Sequence, residues 1–209
     1  MLSYSICVID VGSPKLGNLG WCFYNTFNNQ TYTGENLTDL YPLILENLSK
    51  ASLLFGLEAP LFVPIRDDLV LATKARRGEG RRPWSAGAGA QVLALNLPIM
   101  VHIFSNLYKL NKDIDFVFTE QAFTMQSNQI LLFEALVSGQ DKGNSHVNDA
   151  EIMVESCKKY QKLNILPKTI LEFEDGVNYF NLAASALYSS GYKKFVDKIN
   201  SKMPIYKPD

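Results

Sequence analysis

The chain has 209 residues, 47% of them hydrophobic and 20% charged, which suits one sizeable domain with a well-buried core and excludes disorder or a fibrous repeat. Its net charge of −1 excludes binding to nucleic acid through bulk positive potential, so any polyanion must be gripped locally. Cys7, Cys22 and Cys157 form no CxxC pair, which argues against a zinc site or a disulfide framework and fits a reducing, cytoplasmic compartment.

The run Tyr4 to Gly12, YSICVIDVG, opens the chain's organisation. Ile6, Cys7, Val8 and Ile9 show no polar alternation, so they predict a strand covered on both faces. That strand delivers Asp10 to its C-terminal edge, where open α/β sheets gather their ligands, and Gly12 is assigned to a turn with positive φ. Asn18 to Phe27 predicts a second strand, with a turn at Asn28-Asn29 into a third over Gln30 to Thr33. Strands joined so tightly pair antiparallel. Asn36 or Thr38 caps a helix from about Asp39 to Lys50, whose Leu40, Leu43, Ile44 and Leu48 recur at helical spacing. Ala51 to Leu57 repeats the plan of the first strand and ends on Glu58-Ala59-Pro60, while Pro60 and Pro64 argue against a further central strand.

The segment 74–84, KARRGEGRRPW, is a charge anomaly: Lys74, Arg76, Arg77, Arg81 and Arg82 face one acid, Glu79, in a glycine-bearing loop. A helix is expected from Ser85 toward Leu107, opening on small residues and kinked at Pro98, with His102 as a core histidine. Ile114 to Phe118 and Gln129 to Phe133 predict strands, the second ending on Glu134. A polar loop, 138–145, leads to a helix from His146 to about Gln161 with Val147, Ala150, Val154 and Cys157 on its inner face. Val177 to Ser190 predicts a last helix ended by Gly191, and the tail from about residue 192 reads as extended and mobile. The N-terminus shows no signal-peptide pattern, and the apolar stretch Val92 to Phe104 reads as too short to span a bilayer, so a soluble protein without a membrane partner is expected.

Asp10, Glu58 and Glu134 stand at the ends of three strands, and Asp149 lies three residues after His146 on the same side of a helix. Two carboxylates about 4 Å apart repel by roughly 4 kcal/mol at an effective dielectric near 20, so a cluster of them wants a cation. Magnesium and manganese favour oxygen ligands of this kind. Two such ions form the clamp that activates water and stabilises the leaving oxygen in phosphodiester cleavage.

The segments CVIDVGS, LLFGLEAPL, ILLFEALVSG and HVNDAEIMVES, with their β-β-β-α-β-α-β-α order, resemble the ribonuclease H-like superfamily. Within it they are similar to the predicted nucleases of the domain of unknown function 429 family. The resemblance covers about Tyr4 to Gly191 and implies a mixed α/β fold. Its central sheet would have three antiparallel strands, then parallel strands, flanked by helices in a single domain over the whole chain. It also implies a metal-ligand set of Asp10, Glu58, Glu134 and Asp149 for two Mg²⁺ or Mn²⁺ ions, leaving open which of Glu134 and Asp149 completes it. His146-x-x-Asp149 is similar to the His-x-x-Asp of resolvase-type members, whose histidine positions or activates the attacking water. Glu58 departs from the aspartate that many relatives carry there.

On this reading the chain is a divalent-metal-dependent nuclease in which Asp10, Glu58, Asp149 and His146 are catalytic. Lys74, Arg76, Arg77, Arg81 and Arg82 would hold a nucleic-acid backbone by their cationic heads, and Trp84 would stack on a base. The same arginines could instead pair with the protein's own acids. Two rival functions stay open: a small-molecule kinase of the actin-like class, because IDVGS is similar to its first phosphate loop, and a non-catalytic module that binds nucleic acid or protein.

Overall fold

A computed structural model describes residues 4–79, 83–137, 141–172, 174 and 176–209. Its centre is a mixed sheet of β1 (Tyr4–Asp10), β2 (Gly20–Asn25), β3 (Gln30–Gly34), β4 (Ser52–Glu58), β6 (Asp115–Val117), β7 (Gln129–Ala135) and β9 (Ile205–Tyr206). These lie in the order β3-β2-β1-β4-β7-β6, with β9 also pairing β7. β1, β2 and β3 are antiparallel neighbours, as their short connections require. β4, β7, β6 and β9 then join in parallel. The mixed α/β class, with antiparallel strands giving way to parallel ones between helices, is therefore the one the sequence predicts.

β1, β4 and β7 are apolar along almost their whole length because both faces of the sheet are covered. On one face Cys7, Ile9, Phe55, Leu57 and Leu132 pack in one cluster with α1 (Leu37–Leu48), α2 (Gly87–Leu110) and α4 (Leu182–Ser189). On the other, Ile6, Val8, Leu54, Leu131 and Phe133 meet Ala150, Met153, Val154 and Cys157 of α3 (His146–Lys162). Val147, expected on that inner face, is only half-buried. The parity of each strand thus decides which helix layer a side chain meets, a point on which the acids turn.

Several expectations are corrected. The last helix begins only at Leu182; Asn178–Asn181 form β8, antiparallel to β5 (Phe62–Ile65) in a separate two-stranded ribbon. Asn181 sets the boundary, its side chain accepting from the Ala184 N–H at 2.8 Å as the cap of α4. The tail after 192 is docked, not loose: Phe195, Met203, Ile205 and Tyr206 are buried, and the Glu134 N–H donates to the Pro204 carbonyl at 3.0 Å. His102 is exposed beside Asn106, not in the core. Helix α2 runs for 24 residues through Asn96, Pro98 and His102, and is long and apolar enough to cross a membrane by length and composition. Its Ile99, Met100, Ile103, Phe104 and Leu107 form part of the core beneath the sheet.

Candidate metal centre

β1 and β4 run side by side in parallel, with Asp10 directly opposite Glu58. Residues paired this way send their side chains to the same face, so the two carboxylates emerge together at the C-terminal edge on the α3 side. Asp149 comes to meet them from the first turn of α3, where the helix dipole favours an acid. The three side chains each offer an oxygen within 4.8 Å of the others.

The helix reaches this place because of Gly20. That residue is the register partner of Asp10 on β2, and a Cβ on it would lie 2.2 Å from the Val147 nitrogen and 2.4 Å from the His146 carbonyl carbon. A side chain there and the first turn of α3 cannot share the space. With the helix seated, His146 Nδ1 lies 2.5 Å from Asp10 Oδ2. When the Asp10 carboxyl is ionised it can only accept, and Nδ1 then carries the hydrogen with Nε2 left as the ring's second nitrogen. Gly12, assigned above to positive φ, is needed for another reason: a Cβ there would lie 1.6 Å from the Asn18 carbonyl oxygen, and the glycine lets the strand's exit pass close to that loop.

Lys142 completes the arrangement. Its Nζ stands 3.0 Å from Asp149 Oδ2 and 3.4 Å from Glu58 Oε1. The Gly143 N–H donates to Asp149 Oδ1 at 2.6 Å, so Asp149 is held through both oxygens. Glu58 is less well served, for its Oε2 is buried with no hydrogen-bond partner among the described residues. Burial pushes the Glu58 carboxyl up to about 9, and the charges of Asp10 and Asp149 add to the rise, with Lys142 opposing it. Burial likewise raises Asp10, against the pull of His146 and Lys142. Burial works against the Lys142 ammonium too, but the carboxylates of Glu58, Asp149 and Asp10 outweigh it and hold its pKa above the ordinary value.

Glu134 is not part of this cluster. Its register partner on β4 is Leu57, one residue short of Glu58, so its side chain leaves the opposite face of the sheet. There Arg76 grips it with both guanidinium arms, Nη1 to Oε2 at 2.9 Å and Nη2 to Oε1 at 2.6 Å, while the Leu61 N–H donates to Oε2 at 3.0 Å. Arg76 also binds Glu79 Oε1 at 2.8 Å and packs over the Phe62 ring, 4.7 Å from its centroid. Asp149, rather than Glu134, therefore completes the carboxylate set, and Arg76 is withdrawn from the residues free to bind phosphate. Lys74 and Arg77 are exposed, and Arg81 and Arg82 lie outside the described residues.

Two depressions flank the carboxylates. One, of about 430 Å³, is lined by Asn18, Glu35, His146, Asp149 and Lys142 among others. The other, of about 110 Å³, has Glu58 and Lys142 at one side and a largely apolar wall that includes Trp84, Val92 and Leu136. Trp84 is half-buried, its indole N–H directed at the Lys74 carbonyl at 3.4 Å. Sequence reasoning missed Gly20, Lys142 and Gly143. Nothing in a polar loop marks one lysine as the partner of acids from two separate elements.

Three carboxylates offering oxygens within 4.8 Å of one another, one of them with a buried oxygen that has no partner among the described residues, could hold a metal ion. Compared with known proteins, the chain matches no family model, no curated protein and no solved structure.

Proposed function

We propose that the protein is a divalent-metal-dependent phosphodiesterase of ribonuclease H-like type that hydrolyses nucleic acid. The observation that carries the reading is the meeting of Asp10, Glu58 and Asp149 from β1, β4 and α3, with a Glu58 oxygen among them that is buried and has no partner among the described residues. The strand order β3-β2-β1-β4-β7 and the place of the acids at the C-terminal edge of the parallel strands support it.

Asp10, Glu58 and Asp149 would hold Mg²⁺ or Mn²⁺. When bound, the metal supplies Lewis acidity, which polarises a phosphoryl oxygen and makes water more acidic. The protein's own groups do the rest. Asp10 fixes the His146 ring through Nδ1, leaving Nε2 to accept the proton of the attacking water as its oxygen bonds to phosphorus. The ester P–O bond then breaks and the departing oxygen takes a proton from solvent. The depression beside His146 and Asp149 receives the sugar-phosphate, and the indole of Trp84, on the Glu58 side, offers a face on which a base stacks. Lys74 and Arg77 are the exposed cations of the basic loop that contact flanking phosphates.

The test is cleavage of labelled single-stranded and duplex DNA, single-stranded and duplex RNA, and a four-way junction, with Mg²⁺ or Mn²⁺ and with chelator. Cleavage that needs the metal and is lost in Asp10→Asn, with the fold retained by circular dichroism, is expected. A wild type that cuts none of these substrates contradicts the proposal.

A further inference from the structure

The fold treats its two buried acid groups differently. Glu134 is neutralised for good: the Arg76 side chain is 1% exposed, forked onto both carboxylate oxygens and locked to Glu79 as well. A planar guanidinium held at both arms is a permanent partner. The cluster of Asp10, Glu58 and Asp149 has Lys142 instead, a point charge on a flexible stem whose side chain is 42% exposed. Its ammonium touches two of the three carboxylates, Glu58 and Asp149, and Glu58 Oε2 is left without a partner among the described residues. One cation of charge +1 therefore stands where the donor geometry suits an ion of charge +2. Lys142 also lines both depressions, so it is the side chain that lies between the polar basin on the His146 side and the apolar pocket on the Trp84 side.

We propose that Lys142 is the resident counter-ion of the metal centre: its ammonium holds Glu58 and Asp149 together until a divalent cation displaces it, and then turns to the phosphate of the bound substrate. This rests on the metal-centre reading above. Displacement joins the two depressions into one trough across the carboxylates, with the freed ammonium beside it. The same residue thus competes with the metal and assists the substrate, so removing it moves the two affinities in opposite directions. A merely structural lysine would move both the same way or neither.

The experiment is calorimetric titration of Mn²⁺ into wild type, Lys142→Met and Lys142→Arg. It is followed by anisotropy of a fluorescein-labelled single-stranded DNA oligonucleotide with each protein in saturating Ca²⁺. Loss of the competing charge tightens Mn²⁺ binding to Lys142→Met by roughly tenfold, whereas Lys142→Arg, which keeps the charge, stays within a few-fold of wild type. The oligonucleotide binds Lys142→Met several-fold more weakly than wild type. Thermal unfolding without metal confirms that each variant is folded; the exposed stem makes this the expected result. If wild type binds Mn²⁺ and Lys142→Met binds it equally or less well, Lys142 is not a competitor and this inference fails while the metal centre stands. Oligonucleotide binding unchanged in Lys142→Met removes the phosphate role. If neither wild type nor Lys142→Met takes up Mn²⁺, the metal reading itself is overturned, and this inference with it.

Discussion

Gly20 and Asp10 face each other across β1 and β2, and the missing side chain of the one is what lets a histidine reach the carboxylate of the other. The backbone of His146 and Val147 passes where a Gly20 Cβ would stand, at separations no real Cβ tolerates. Gly20→Ala must therefore push the first turn of α3 outward, because the clashing atoms are backbone and cannot rotate away. We expect a loss of about 1–3 kcal/mol in urea unfolding, the usual cost of overpacking. His146 and Asp149 move with that turn, so Gly20→Ala should also lose the Mn²⁺ response. Wild-type stability in this variant would show that the helix start has room to spare.

Arg76 is expected to matter for stability, not for polyanion binding. Removing one partner of a buried ion pair leaves an uncompensated charge, so Arg76→Ala should cost about 3–5 kcal/mol of unfolding free energy. Arg77→Ala, at an exposed position one residue on, should stay within about 0.5 kcal/mol of wild type. Equal effects on stability from the two substitutions would refute the clasp that Arg76 makes between Glu79 and Glu134.

The raised Glu58 carboxyl sets a direction for stability against pH. In the folded protein it keeps its proton up to about 9, whereas in the unfolded chain it titrates near 4.5. The stabilisation from this proton is full below pH 4.5 and is lost as pH rises toward 9, and the raised Asp10 acts in the same sense. Metal-free wild type should therefore show a falling midpoint across that window, and Glu58→Gln, which has no proton to lose, a flatter profile. A chelated wild type whose midpoint climbs from pH 6 to pH 9 would falsify this assignment.

Much of the frame could be read from the chain because local rules and tertiary packing agree there. Apolar runs without alternation gave β1, β4 and β7, and the cap at Asn36 and the helical spacing of Leu40, Ile44 and Leu48 gave α1. Asp10 and Glu58 could be paired because each ends such a run, and His146 could be linked to Asp149 by helical spacing. Glu134 ends a run as well, but its face depends on the register of β7 against β4, and one residue of slip sends the carboxylate to Arg76. Register is set by packing over the whole sheet, so no local signal carries it. The tail misled for a related reason. Its Pro204 and Pro208 suggest a loose end, but Ile205 and Tyr206 find an open edge beside the C-terminal half of β7 that no nearby sequence announces. In Val177–Ser190 a helical composition was overridden at its first residues by pairing with β5, which lies outside the central sheet, as the prolines require.

The central claim is that Asp10, Glu58 and Asp149 form a metal centre, and thermal unfolding of wild type and Asp10→Asn, each with and without Mn²⁺, tests it most directly. A ligand at about a hundred times its dissociation constant stabilises the folded state by roughly 2.7 kcal/mol, a shift of several degrees for a chain of this size. The account predicts that Mn²⁺ raises the midpoint of wild type and leaves Asp10→Asn where it was. An equal rise in both proteins, or no rise in either at millimolar Mn²⁺, would contradict it.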